Sequence, residues 1–197
     1  VWTAGLDLVG ILPRLQSEQG GRIAQQQHLL RFIQTLQDAI SAVERVRQPV
    51  IAAIHGKCIG GGVDLITACD LRLCSADAVF SVREVRIAIV ADIGTLQRLP
   101  RIVGEGNARE LCYTADDISA EHALRIGLVN SIHADRDALL AAAQALAARI
   151  AKNSPLAVQG TKTMLVQASE TAIREGLARV AMHNTAFLIS DDLGEAM

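Results

Sequence analysis

Ile54-His55-Gly56-Lys57-Cys58-Ile59-Gly60-Gly61-Gly62-Val63-Asp64 is the stretch on which the fold turns. A run rich in β-branched residues at 50–54 leads into it, and this predicts a short buried strand. A turn at 56–62 follows, then a short helix through Cys69. Glycines at the mouth of a helix let the backbone approach a ligand closely. The helix N-terminus offers free N–H groups that favour negative charge. The same glycines equally suit tight strand–helix packing. Two nucleotide-binding patterns fail on spacing. A P-loop carries Lys-Ser/Thr after its glycines, whereas Lys57 precedes them, and three consecutive glycines are not G-x-G-x-x-G.

Upstream, Leu29, Phe32, Ile33, Leu36, Ile40 and Val43 recur at spacings of three and four, which predicts a long amphipathic helix. Pro49 ends it, because the residue before proline avoids the helical region, and 17–21 is a polar loop before it. Downstream, 71–73 and 79–82 read as strands, and from Gly94 the pattern is mostly helical. Ser119 is placed to N-cap a helix with Glu121 in its first turn and Gly127 as its stop. A last strand is expected at 128–132. Three helices then follow near 135–152, 155–168 and 170–189, with starts marked by Ser154-Pro155 and Ser169. Alternating strands and helices followed by helices alone predict an α/β core with parallel strands and a helical C-terminal region.

The chain has 197 residues, half of them apolar and only 3% aromatic, so its core is aliphatic. A net charge of −2 gives no global attraction to nucleic acid or anionic membrane, and no apolar run reaches the ~20 residues of a membrane span. Cys58, Cys69, Cys74 and Cys112 have neither C-x-x-C nor zinc spacing, and they read as buried free thiols in a reducing compartment. The opening on Val-Trp-Thr-Ala-Gly and the helix-like close predict further material at both ends, including N-terminal strands.

A second motif, Thr3-Ala4-Gly5-Leu6-Asp7-Leu8, is weak alone. With the triple glycine, Ala68-Cys69-Asp70, Thr95-Leu96-Gln97-Arg98-Leu99, Ile118-Ser119-Ala120, Gly127-Leu128-Val129 and Ser154-Pro155-Leu156-Ala157, it resembles the enoyl-CoA hydratase/isomerase (crotonase) family over nearly the whole chain. The resemblance implies a spiral of β-β-α units at 1–133 that binds acyl-CoA. It also implies a helical oligomerisation region at 134–197, in a homotrimer or dimer of trimers. It implies an acyl-CoA thioester as substrate, with no metal and no cofactor beyond the coenzyme A that the substrate carries. Neither nucleic acid nor a membrane is an expected partner. The implied location is intracellular: cytoplasm in a bacterium, peroxisome or mitochondrial matrix in a eukaryote. The backbone N–H groups of Leu6 and Gly61 would form the oxyanion hole, and Thr3, Ala4, Gly5, Leu6 and Asp7 would line the path of the substrate.

Three acids fall where the family keeps active-site groups: Asp64, Glu84 and Asp92. Taken singly, each has an ordinary explanation as a helix first-turn acid, an exposed loop acid and an N-cap. The family's hydratases carry glutamates at the first two positions and a small residue at the third. The shorter Asp64 and the added Asp92, within Ala91-Asp92-Ile93-Gly94-Thr95-Leu96-Gln97-Arg98-Leu99-Pro100, resemble instead the family's dienoyl-CoA isomerases. These move the double bonds of 3,5-dienoyl-CoA to the 2,4 positions in fatty-acid β-oxidation. The resemblance implies Glu84 and Asp92 as a proton-transferring pair, in either order, with Asp64 auxiliary. An enoyl-CoA hydratase, a Δ3,Δ2-enoyl-CoA isomerase and a non-catalytic binding protein of this fold, for instance on RNA, are the alternatives. The mixed charge of the helix at 22–47 speaks against RNA. Two positions depart from the isomerase pattern: Arg86 replaces an acid, and Ala88 replaces a glycine and is expected to narrow the acyl pocket. Arg98 and Lys162 read as surface or interface charges, and His55 as a satisfied buried histidine.

Overall fold

The computed structural model describes residues 1–7, 10, 21–188 and 190–196. The expected loop at 17–21 falls almost wholly outside them, as do residues 8, 9, 11 and 12 of the opening segment. Helix α1 spans Gly21–Arg45. Strand β1 (Ile51–Ile54), strand β2 (Lys57–Ile59) and helix α2 (Gly61–Thr67) form one β-β-α unit. Strand β3 (Leu71–Ser75), strand β4 (Val79–Ser81), a 3-10 turn (Glu84–Ile87) and helix α3 (Thr95–Val103) form the next. β1 pairs in parallel with β3, and β2 in parallel with β4, so each unit stacks on its predecessor as a spiral requires. Helix α4 (Glu105–Thr114), strand β5 (Ile118–Ser119), helix α5 (Ala120–Arg125) and strand β6 (Ser131–His133) complete the core. β6 extends the first sheet in parallel, while β5 joins β4 antiparallel, an exception to the all-parallel expectation.

The glycine segment departs from its predicted turn. Lys57–Ile59 is a strand, with Gly56 and Gly60 at its ends in left-handed conformations (φ 62° and 53°) that a side chain would strain. Lys57, exposed at the start of β2, accepts the amides of Trp2 and Thr3 at its carbonyl, while His55 is half-buried rather than buried. Ser119 caps α5 as expected, accepting the His122 amide, and Gly127 stops it at φ 80°. The core gathers around Ile54, Cys58, Val63, Phe80, Leu99 and Leu128, and all four cysteines are free and buried.

Helix α6 (Arg136–Ala151) packs on β1, β3 and β6. The two helices expected beyond it are one, α7 (Pro155–Phe187). Ser169 does not start a helix; its hydroxyl donates back to the Val166 carbonyl, a bond available inside a continuous helix. A final helix, α8, covers Asp191–Ala196. Along α7, Ile173, Leu177 and Val180 are buried, with α7 packed on α1, whereas Leu165 and Phe187 are exposed. On α1 the buried line is Leu29, Ile33, Gln37 and Ser41, and the predicted Phe32, Leu36, Ile40 and Val43 flank it half-buried. Among the described residues no helix is long and apolar enough to cross a membrane.

Arg98 and Lys162, expected on the surface, are both buried. Each finds an acid and a neutral oxygen, which offsets the loss of water. Arg98 donates to Glu44 (2.9 Å) and Ser41 (3.0 Å). Lys162 reaches from α7 to Asp70 (2.7 Å) and the Gln48 carbonyl (3.0 Å). Breaking a buried pair leaves a charge behind, but Asp70 is partly exposed and still accepts the Val50 amide. Lys162→Ala is therefore expected to cost roughly 3 kcal/mol, at the low end for such pairs, read as a lowered Tm. A Tm within 1 °C of the parent would show that the pair does not hold α7 to the sheet.

Candidate active site

Two backbone segments distant in sequence meet at the mouth of α2. Residues 2–3 run beside β2: the Thr3 amide donates to the Lys57 carbonyl (2.9 Å), and the Ile59 amide to the Thr3 carbonyl (3.2 Å). Gly5 then turns at φ 93°, its amide donating to the Thr3 hydroxyl. This delivers Leu6 beside Gly61. A methyl group built on Gly61 would lie 3.8 Å from the Leu6 nitrogen, and one built on Gly5 would lie 3.7 Å from the Gly61 nitrogen. Among the described residues neither amide has a hydrogen-bond acceptor in the protein. Two unsatisfied donors side by side, one of them at a helix N-terminus, suit a developing oxyanion.

Both amides open on one cavity of about 120 Å³. Asp64, Glu84 and Asp92 line it, together with Arg83 and an apolar wall that includes Leu36, Ile87, Ile89 and Ile93. The structure thus brings together every residue that the sequence assigned to the oxyanion hole and to proton transfer. Ala4 and Gly5 also line the cavity. Thr3 and Asp7 do not: the Thr3 methyl packs where a Gly62 side chain would stand, and Asp7 accepts the Gly10 amide.

Each carboxyl is held differently. Asp64 is 1% exposed on α2, and its Oδ1 accepts the Thr95 amide at 2.5 Å. It thereby satisfies the first amide of α3, the capping role that the sequence offered to Asp92; Gly94 occupies the N-cap position itself. Its Oδ2 has no partner. Glu84 stands at the start of the 3-10 turn with Oε2 buried and unpartnered. Its Oε1 would lie 3.4 Å from a methyl on Gly60. Asp92 accepts the Asn184 side-chain amide at Oδ2 (2.7 Å).

Burial is the main cause that raises all three pKa values. Glu84 is pushed up to about 7, with the charges of Asp64 and Asp92 adding to burial. Asp64 rises to about 6, restrained by the Thr95 hydrogen bond and by Arg98. Asp92 also rises, restrained by Asn184. Asp64 and Glu84, the charge of the first raising the second, hold protons close to neutrality and titrate together.

The sign for stability follows from Glu84. Below its ordinary value of 4.5 it is protonated folded or unfolded; as pH rises towards 7 only the folded state still holds the proton, and stability is lost. Above that pH Glu84→Gln is expected to be more stable than the parent by up to roughly 3 kcal/mol, the difference vanishing below pH 4.5. Tm against pH for both proteins checks this. A difference independent of pH would contradict it.

Neither departure from the isomerase pattern enters the cavity. Arg86 is exposed and reaches Asp116 (3.1 Å). Ala88, expected to narrow the acyl pocket, is exposed and outside the cavity lining. It sits at φ 53°, a conformation glycine adopts freely, which explains why glycine suits the position. Sequence reasoning missed Gln37 and Asn184. Gln37 donates to the Asp92 carbonyl (2.7 Å) and the Leu177 carbonyl (3.0 Å), and Asn184 holds the Asp92 side chain. The available signal was polar residues interrupting the apolar lines of α1 and α7.

The enoyl-CoA hydratase/isomerase family model matches residues 2–197. The chain belongs to the enoyl-CoA hydratase/isomerase family. Within that family it is 50% identical over 197 residues to a protein of Dictyostelium discoideum named Delta(3,5)-Delta(2,4)-dienoyl-CoA isomerase, mitochondrial; the match covers 98% of this chain and 67% of that protein. It is 51% identical over 198 residues to an Arabidopsis thaliana protein named Delta(3,5)-Delta(2,4)-dienoyl-CoA isomerase, peroxisomal, covering 98% and 70%. The family fold is also seen in the crystal structure of an enoyl-CoA hydratase from Bacillus halodurans, which superposes with a TM-score of 0.83 at 22% identity over 98% of this chain and 74% of that one.

Proposed function

We propose that this chain carries the active site of a dienoyl-CoA isomerase, which converts 3,5-dienoyl-CoA to 2,4-dienoyl-CoA in fatty-acid β-oxidation. The observation that carries the reading is Asp92: it faces the same cavity as Glu84 and as the free amides of Leu6 and Gly61. The names of the relatives at about 50% identity support it. In this reading the thioester oxygen accepts both amides. One carboxylate removes a proton from carbon 2, the electrons pass into a dienolate held by the two amides, and the second carboxyl returns a proton to carbon 6. One acid must start ionised and the other protonated; burial lifts Glu84 to about 7, while the Asn184 hydrogen bond favours the ionised form of Asp92. Asp64, tied to the Thr95 amide, biases the pair through its charge. The reaction calls for no metal and no cofactor besides the substrate's coenzyme A.

A mitochondrial or peroxisomal location is the compartment that the relatives' names support. A trimer or dimer of trimers is the assembly proposed, with exposed Leu156, Leu165 and Phe187 of α7 available as contact faces. The deciding experiment is an absorbance assay on the full-length protein. Conversion of 3,5-dienoyl-CoA without hydration of 2-enoyl-CoA is expected. Hydration alone would assign a hydratase, and acyl-CoA binding without turnover of either substrate a binding protein.

A further inference from the structure

Asp92 is gripped from two helices at once. Gln37 of α1 fixes its backbone through the carbonyl, and Asn184 of α7 takes its side chain. Asn184 is 2% exposed and continues the line of Ile173, Leu177 and Val180, where an apolar residue is expected. A buried amide in such a line is costly unless its hydrogen bonds are made. Its Nδ2 donates to Asp92 Oδ2 and to the Val90 carbonyl, both at 2.7 Å, which uses both of its hydrogens. Both partners are acceptors, so the amide cannot flip without facing oxygen with oxygen.

We propose that Asn184 is a positioning residue for the isomerisation: it locks the Asp92 carboxyl with Oδ2 capped and presents Oδ1 as the oxygen that exchanges a proton with the acyl chain. This rests on the assignment of Asp92 as one of the two proton-transferring acids. Without Asn184 the carboxyl gains a free torsion and either oxygen can face the cavity. The hydrogen bond also favours the ionised form of Asp92. Among the described residues, the charged groups sharing the cavity with Asp92 are Asp64, Glu84 and Arg83, and Arg98 acts on Asp64. α1 presents the neutral Gln37, and on α7 His183 beside Asn184 is exposed. A change at Asn184 leaves all of these in place.

The test is Asn184→Leu, matched in size and without a donor. Affinity for a saturated acyl-CoA is expected to stay, while kcat falls about 10- to 100-fold. One limb of the pH–kcat profile is expected to move to higher pH while the other stays. In an Asp92→Asn background the same substitution is expected to cause no further loss. A loss that multiplies in that background, or an unchanged kcat and pH profile, would overturn the proposal. If the leucine variant does not fold, Asn184→Ser keeps a donor where Asn184→Ala has none. The limb should move less in the serine variant, and equal movement in both counts against the idea. Full activity of Asp92→Asn alone would remove the underlying assignment of Asp92 instead, before any change at Asn184 is made.

Discussion

Asp92→Asn is expected to isomerise 3,5-dienoyl-CoA about 10²–10⁴-fold more slowly than the parent while still binding acyl-CoA. The substitution keeps the size of the side chain and its place beside Asn184, and removes only the ionisable group. Binding survives because the Leu6 and Gly61 amides and the apolar wall do not depend on it. Glu84→Gln is expected to fail in the same way for the other half of the transfer, and to do so in a protein more stable above pH 7 than the parent. Loss of activity joined to gain of stability is the mark of a buried acid kept for chemistry rather than for folding. Stopped-flow absorbance with each variant, alongside acyl-CoA affinity, decides the matter. Undiminished turnover in either variant strikes that acid from the mechanism.

Gly61→Val is the second large effect. Gly61 has ordinary helical geometry, and a first methyl there would meet the Ile93 side chain at 3.7 Å and the Leu6 nitrogen at 3.8 Å, ordinary contact distances. The helix tolerates the change, but the added carbons stand in front of the two donors, where the proposed mechanism seats the thioester oxygen. A fall in kcat/KM of about 10²–10³, comparable to deleting a donor from an oxyanion hole, is expected, with the circular dichroism spectrum unchanged. Parental kcat/KM would show that the oxyanion is held elsewhere. Gly62 behaves differently. Its methyl would lie 3.2 Å from Cys58 Sγ and overlap the Thr3 methyl outright, so Gly62→Ala tests packing and not chemistry.

The β-β-α order was legible because glycine, proline and β-branched runs act locally, and the pairing of β1 with β3 follows from stacking one unit on the next. β2 was hidden inside a glycine-rich turn because three residues, Lys57–Ile59, give no periodicity to detect. The split of α7 at Ser169 failed because a serine that caps a helix also bonds back within one, and only packing chooses. At the site, Leu6, Gly61, Asp64, Glu84 and Asp92 were legible as motif positions. Gln37 and Asn184 were not, since each acts on Asp92 across the packing of α1 and α7, a relation no local pattern encodes. The burial of Arg98 and Lys162 was illegible for the same reason: their partners, Glu44 and Asp70, are distant in sequence.

The two amides proposed to hold the oxyanion come from segments distant in sequence, one tethered to Lys57 and the other on the helix that follows β2. On that proposal no single fragment recognises a thioester, however well its own hydrogen bonds form. During refolding, the appearance of acyl-CoA affinity would mark the docking of residues 2–6 onto β2, and would lag any signal that reports helix content alone.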